Sequence, residues 1–405
     1  MSQVNNLKQL AASYLGIEQT FGTVASTLYR AYPVGGSVAI ELSQTEAENE
    51  NQSIYLHDYK SPVRGLMGGS VKMNFYLRPH ATAFSGSNTR SDHYLQQIMK
   101  AGFGGHQANS GSFVGASATT TSLPVNDTSR LAVGQYAIFS SSVGREVAMV
   151  IDITTGSISV TPALSAAPVS GSMVVNMDNF YPTETNTNSL TFQHAQAQDS
   201  TLQWQMTGCK VNALNLKLER DAIMTVEAEL DVKSWSTGSL GLSTAVGTDV
   251  LESPMVMKGA TILLQPTTTT TRTHYPLESV SVKTNLGNEY LEELGGVEGA
   301  TGVMRTGQRM FSEVTAKFRV DTARDVQWAD QTALQLHCFV PYTNSSGQLR
   351  EVVVGMPTCI MVGKPKMMDE GGRLVMEVTL RGKLNTLCSS QTTELGRSPL
   401  TLAVG

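Results

Sequence analysis

The chain lacks any pair of cysteines close enough in sequence to suggest a zinc site. Cys209, Cys338, Cys359 and Cys388 are scattered over 405 residues with no C-x-x-C, so they read as reduced, buried thiols. Charge is sparse, at 16% of residues with a net of −5. That balance argues against general nucleic-acid binding, which needs a basic face to neutralise phosphates. No apolar run approaches the roughly 20 residues that span a bilayer, so no membrane insertion is expected. The opening "MSQVNNLKQLAASYLG" has neither a basic start nor a long apolar core. It does not read as a signal peptide, and folding in a cytoplasm is expected.

Catalytic and ligand motifs are also missing. The seven histidines show no H-x-x-x-H spacing and read as scattered structural or solvated groups. "GFGGHQANSGSFVG" follows a helix pattern and lacks G-K-[ST], so it is not a phosphate cradle. "GSLGLS" lacks the G-x-S-x-G spacing. No catalytic residue, metal or cofactor is expected, and the chain does not read as an enzyme. Trp204, Trp235 and Trp328 read as core or interface anchors rather than a sugar platform.

What the sequence does contain is Gly, Ser, Thr and period-2 alternation, the pattern of a mainly β protein. "SVAIEL" puts Val38, Ile40 and Leu42 on one face. "SVKMNFYL" does the same with Val71, Met73, Phe75 and Leu77. The polar loop between them carries Glu46, Glu48, Glu50, Asp58, Lys60 and Arg64. Alternating carboxylates there suggest calcium, but no D-x-D-x-D-G accompanies them, so a solvated contact loop is the better reading. Helices are expected over about Leu7–Tyr14 and over "HYLQQIMKAG", with Ser91 or Asp92 as N-cap and Gly102 as the stop. Residues 119–176 alternate short strands with turn clusters and read as a small β-module. Residues 263–279, "LLQPTTTTTRTHYPLES", read as a linker or a long crossing strand.

The hairpin "TGCKVNALNLKLERDAIMTVEAELDVKSW" places Val226, Ala228, Leu230 and Val232 on one side of its second strand. Glu227, Glu229 and Asp231 lie on the other. A fainter copy follows, with Glu377, Thr379 and Arg381 in the corresponding places, offset by 150. Other pieces repeat too. Val280 and Val282 correspond to Val38 and Ile40, and Val314, Ala316, Phe318 and Val320 to Val71, Met73, Phe75 and Leu77. "GNEYLEELGGVEGATGVMRTGQ", with Glu289, Glu292 and Glu293, replaces the first polar loop. "DVQWADQTALQLHCF" is expected as the second helix. The order strand, loop, strand, helix, hairpin therefore runs twice. This divides the chain into an arm (1–33), a first domain (34–118 with 177–262) interrupted by the module (119–176), a linker (263–279) and a second domain (280–405).

Several phrases carry a resemblance. "LGIEQTFGT", "GLMGGSVKMNFYLRP" followed by "YLQQIMKAGFG", and above all "SLTFQHAQAQDSTLQWQMTGCKVNALNLKLE" are similar to phrases in the tail tube (major tail) proteins of long-tailed bacteriophages. The resemblance covers nearly the whole chain at the level of pattern and is most specific around Gly208–Asn212. It implies two tube-type β-sandwich or barrel domains, each with one helix, and stacked rings forming a hollow tube. It implies homotrimeric, pseudo-hexameric rings, with a true hexamer as the alternative. It also implies partnership with a tape-measure protein and with tail terminator or distal-tail proteins, transient passage of double-stranded DNA, and a place in the virion tail after assembly in the host cytoplasm. On this reading Glu227, Glu229, Asp231, Glu377, Thr379 and Arg381 face the lumen. The first hairpin's carboxylates then make an acidic-leaning lining that repels phosphate. Glu46, Glu48, Glu50, Asp58, Lys60, Arg64, Glu289, Glu292 and Glu293 reach the next ring. A distal-tail or tube-end protein of the same fold, or a carbohydrate-binding adhesin, remains the alternative.

Overall fold

The computed structural model describes residues 11–47, 63–78, 92–108, 110–196, 203–238, 253–269, 272–292, 300–305, 311–319, 333–343 and 349–405. The protein is mainly β, with large antiparallel sheets and a half-barrel. Its principal feature is one continuous wall of antiparallel strands. Ala39–Ala47 pairs with Val63–Tyr76, which pairs with Thr225–Val232, which pairs with Gln203–Glu219. The wall does not stop there. Gln203–Glu219 pairs with His274–Asn285, then come Phe311–Arg319, Leu374–Gly382 and, at the far side, Lys366–Asp369.

These strands form two four-strand arrays of the same order. Their registers also agree. Ile40 lies opposite Val71 and Val71 opposite Leu230. Val282 lies opposite Val314 and Val314 opposite Leu380. The alternation explains why: one face of each strand is apolar and buried, as in the strictly alternating Thr225–Val232, and a slip of one residue would expose it.

The buried face packs on a second layer. In the first half, Ala11–Ile17 pairs with Tyr29–Ala31 and Leu190–Gln196, and Leu190–Gln196 joins the amino-terminal part of Gln203–Glu219. In the second half, Thr261–Pro266, Leu334–Thr343, Leu349–Met361 and Thr401–Val404 pair in sequence. Thr401–Val404 also pairs with Asp178–Pro182, which ties the two halves together. One core runs through both halves, from Val71, Phe75 and Val226 to Val314, Phe318 and Leu380.

The Tyr94–Phe103 helix joins this core through Tyr94, Leu95, Ile98, Met99 and Phe103. Its N-cap is His93, whose Nδ1 accepts from Gln96 N–H at 3.4 Å. Asp92 instead receives Lys100 Nζ at 2.9 Å, and Ser91 lies outside the described residues. Gly102 is not the stop, since the helix ends at Gly104. Gly102 is a contact glycine: a Cβ there would stand 2.5 Å from Leu214 Cδ1.

Other expectations also change. Ala11–Ile17 is a strand, where an Ala- and Leu-rich stretch suggested helix; pairing on both sides overrides local propensity. Residues 1–10 lie outside the described residues. Leu334–Thr343 is a strand too, and residues 320–332, with Trp328, lie outside the described residues. Its period-2 signal is hidden because both faces are buried: Gln335, Leu336, His337, Cys338 and Val340 are each 0% exposed. Of residues 263–279, read as a linker or a long crossing strand, 263–266 complete the strand Thr261–Pro266 and 274–279 begin the strand His274–Asn285. Both polar loops shorten as well. Strand structure continues through Ala47 and resumes at Val63, with Glu46 opposite Arg64 in the backbone register. Asn288–Glu292 and Ala300–Arg305 form a hairpin of their own.

The module is a six-stranded sheet whose outermost strands are Gly111–Phe113 and Ser122–Pro124. It begins ahead of residue 119 and has a separate core including Leu123, Phe139, Val150, Ile158 and Val174. Its other face, with Tyr136, Ile138, Val147 and Met149, packs on Leu263, Phe339, Val353 and Ala403 of the second layer. The four cysteines are free and buried. Burial pushes the thiols of Cys359 and Cys388 up to about 12, which leaves them protonated and poorly nucleophilic at neutral pH.

Candidate functional site

Three features stand out: the polar face of the wall, the seam between its two arrays, and its two outer edges. Along the polar face, cross-strand pairing arranges side chains in rows. One row runs Asn74, Glu227, Asn215, Lys283, Glu313, Arg381. Another runs Glu219, Ser279, Lys317, Glu377, Lys366. Shorter rows join Glu41, Ser70, Asp231 and Lys210, and Lys72 with Glu229.

The rows overturn the expected acidic lean. Carboxylates and cations alternate across neighbouring strands, and many are paired. Lys72 Nζ lies 2.9 Å from Glu229, Lys210 Nζ 3.2 Å from Asp231, and Lys366 Nζ 3.5 Å from Glu377. Arg381 Nε donates to Glu313 at 3.0 Å, while Lys317 pairs with Glu370 and Arg319 with Glu278. The hydrogen bond and charge of Glu229 hold the Lys72 ammonium above its usual range. In the second array, Thr379 shares a hydroxyl hydrogen bond of 3.1 Å with Thr315. Glu227, Glu229, Asp231, Glu377, Thr379 and Arg381 all stand on this one face. The sequence reading weighed one strand at a time, and the neutralising lysines and arginines come from the adjacent strands.

The seam joins Asn215–Glu219 to Ser279–Lys283 by direct strand pairing. It buries Leu216 and Leu218 opposite Val282 and Val280, all at 2% exposure or less. At the wall's outer edges the corresponding strands have no such cover. Among the described residues, Ala39–Ala47 pairs only with Val63–Tyr76, and Lys366–Asp369 only with Leu374–Gly382. Met367 there is 47% exposed, and Val38, Ile40 and Leu42 are half-buried. Unpaired strand edges carry free backbone donors and acceptors, so they are templates for another chain.

A buried carboxylate fastens the structure behind the first array. Glu18 accepts from Gly22 N–H at 2.8 Å and Ser189 Oγ at 2.6 Å with one oxygen. With the other it accepts from Gly208 N–H at 2.8 Å and Thr191 Oγ1 at 3.0 Å. The three phrases "EQTFGT", "SLTF" and "TGCKVN" therefore meet at one side chain. Gly208 sits at φ +62°, and a Cβ there would press on Lys233 and Phe21. The hairpin at Asn288–Glu292 docks on the same spot, with Tyr290 Oη donating to the carbonyls of Gly208 and Asp231 at 3.1 and 2.8 Å. Glu289 on that hairpin is exposed. Glu48, Glu50, Asp58, Lys60 and Glu293 lie outside the described residues; Glu46, Arg64 and Glu292 lie on strands.

A second buried network locks the module to the wall's backing layer. Arg272, from the Thr-rich stretch, donates to the carbonyls of Val147 and Pro162 at 2.9 and 3.1 Å and lies 3.5 Å from Glu146. Tyr136 Oη is 2.8 Å from His337 Nδ1, and His337 Nε2 is 3.2 Å from Gln335 Oε1. An amide oxygen can only accept, so Nε2 carries the ring proton and Nδ1 accepts from the tyrosine. Burial, then the charges of Arg272 and His274, push His337 down to about 3. Burial lifts Glu351 to about 7 against the opposing pull of Arg272.

Among the described residues, no three His, Cys, Asp or Glu side chains are grouped to hold a metal ion, and no helix is long and apolar enough to cross a membrane. Compared with protein-family models and with curated proteins, the chain matches none.

Proposed function

We propose that this chain is a self-assembling structural protein: the subunit of a phage tail tube, built to join copies of itself edge to edge into rings. The observation that carries the reading is the contrast between the seam and the outer edges. The same wall has a joint between its arrays and, at each end, a strand of the same kind that among the described residues pairs with a strand on one side only. Three copies, each with two arrays, would close a ring of pseudo-sixfold symmetry. Closure removes the unpaired edges, and covering what remains exposed of Met367 and Ile40 adds a part of the about 1.5–3 kcal/mol that burying such a side chain from full exposure supplies.

The polar face is then the lumen. A lining with alternating, mutually paired charges presents little net field beyond about a Debye length, roughly 8–10 Å. Lys72, Lys210, Lys317, Lys366 and Arg381 are already engaged by carboxylates, so phosphates of passing double-stranded DNA find fewer free partners. Low adhesion arises here from charge balance rather than from repulsion. The sequence phrases similar to those of tail tube proteins agree with this reading, which implies a tape-measure protein inside the tube, terminator or distal-tail proteins at its ends, and a place in the virion tail. On this reading assembly takes place in the host cytoplasm.

Electron microscopy of the purified protein tests it. Rings or tubes of constant bore, with three subunits per ring, are expected. A protein that stays monomeric at every concentration overturns the reading.

A further inference from the structure

The internal seam and the two outer edges are related by the register of the wall, and that relation specifies a contact residue by residue. Val71 pairs with Leu230 and Ile40 in the first array, and Val314 with Leu380 and Val282 in the second. Ile40 therefore holds the position of Val282, and Glu41 that of Lys283. On the other side, Asn215 faces Glu227, and Lys366 faces Glu377. Lys366 thus holds the position of Asn215, and Met367 that of Leu216. Inside the chain, Asn215 lies opposite Lys283 and Leu216 opposite Val282.

We infer that a second copy of this chain docks its Ala39–Ala47 strand antiparallel on Lys366–Asp369, with Glu41 opposite Lys366 and Ile40 opposite Met367. The inference rests on the ring-forming reading above and adds its register. Two independent properties of the edges favour this register. It sets an exposed apolar side chain, Met367 at 47%, against the half-buried Ile40, as the seam sets Leu216 against Val282. It also sets an anion against a cation on the same polar face, where the seam has an uncharged Asn215 opposite Lys283. A shift by two residues would instead place Lys366 opposite Ala39 or Ser43 and lose that pair. Opposite charges directly across antiparallel strands favour pairing, and like charges oppose it. The seam inside one chain and the contact between chains would then share backbone geometry but differ in polar chemistry. That difference lets the edges prefer each other over the seam strands during assembly.

The test uses the full chain with E41C and K366C together, against S43C and K366C as the control two residues out of register. The native thiols are buried, so mild oxidation reads the introduced pair. The expected result is intermolecular disulfide ladders of two and three chains for E41C/K366C, at least tenfold above the control. Charge reversal provides a second readout: E41K and K366E each raise the concentration needed for assembly about tenfold, and the double variant restores it, although K366E keeps its own loss of the Lys366–Glu377 pair in the monomer melt. Rings that form while the control pair crosslinks better, or while the double reversal fails to rescue, overturn the register and leave the ring reading standing. Absence of any assembly by the unaltered chain overturns both.

Discussion

The seam between the two arrays and the outer edges of the wall are the same kind of strand in two circumstances. At the seam, Leu216 is covered by Val282 and 1% exposed; at the edge, Met367 in the corresponding place is 47% exposed. The seam is part of the fold, held by a core that continues from one array into the next. Among the described residues, each edge strand pairs with a strand on one side only. The difference shows how one pattern of alternation can serve folding at one site and association at another, with only the presence of a neighbouring strand separating the two.

The sharpest way to break this comparison is to place a charge at each equivalent position. Leu216→Asp puts a carboxylate in a closed core and should cost several kcal/mol, on the order of 3–5, or prevent folding. Met367→Asp should leave the monomer's unfolding free energy within about 0.5 kcal/mol of the parent, as surface changes do, while abolishing assembly in sedimentation. Equal destabilisation by both would mean that the edge is an ordinary part of the monomer core. Next in size is Glu18→Ala, which orphans four donors around a buried carboxylate. A loss of about 3 kcal/mol or more in chemical denaturation is expected, against a smaller loss for Glu18→Gln. Gly208→Ala forces a side chain into a left-handed backbone and against Lys233; a loss of about 1–2 kcal/mol is expected.

The smallest effect concerns pH, and it separates the module joint from the wall. Glu351 is raised from 4.5 to about 7, so its contribution is complete below pH 4.5 and is lost as pH rises through 7. His337 is lowered from 6.5 to about 3, so its contribution is complete above pH 6.5 and is lost as pH falls through 3. Between pH 4.5 and 6.5 the two oppose each other. Thermal melts should therefore be nearly flat across that interval as far as these groups are concerned, falling on both sides. Glu351→Gln should remove the fall between pH 6.5 and 7 and leave stability rising with pH from 4.5 to 6.5, where His337 then acts unopposed. An unchanged alkaline slope in that variant would assign the loss to other groups.

Much of the wall was legible from the sequence because each strand buries one face only. Val71, Met73, Phe75 and Val226, Ala228, Leu230 alternate with polar residues, and their repeat at Val314, Ala316, Phe318 and Val378, Leu380 keeps the register. The strand at Leu334–Thr343 was not legible, since the module covers the face that would otherwise be polar. Ala11–Ile17 was misread because its strand conformation depends on pairing with Leu190–Gln196, far away in sequence. The carboxylates of Thr225–Val232 were placed on the right strand, but their electrostatics were not. Lys72 and Lys210 arrive from the two flanking strands, and only the assembled register brings them alongside. The role of Glu18 was equally hidden, because its four donors come from residues 22, 189, 191 and 208.

Hydrogen exchange on dilute and assembled protein addresses the edges most directly. The outward-facing amides of Ala39–Glu41 and Lys366–Asp369, those not bonded to the neighbouring strand, should exchange rapidly when the chain is dilute and become strongly protected on assembly, with the Asn215–Glu219 seam protected in both states. Edge amides that stay fast in assembled material would contradict strand pairing between copies.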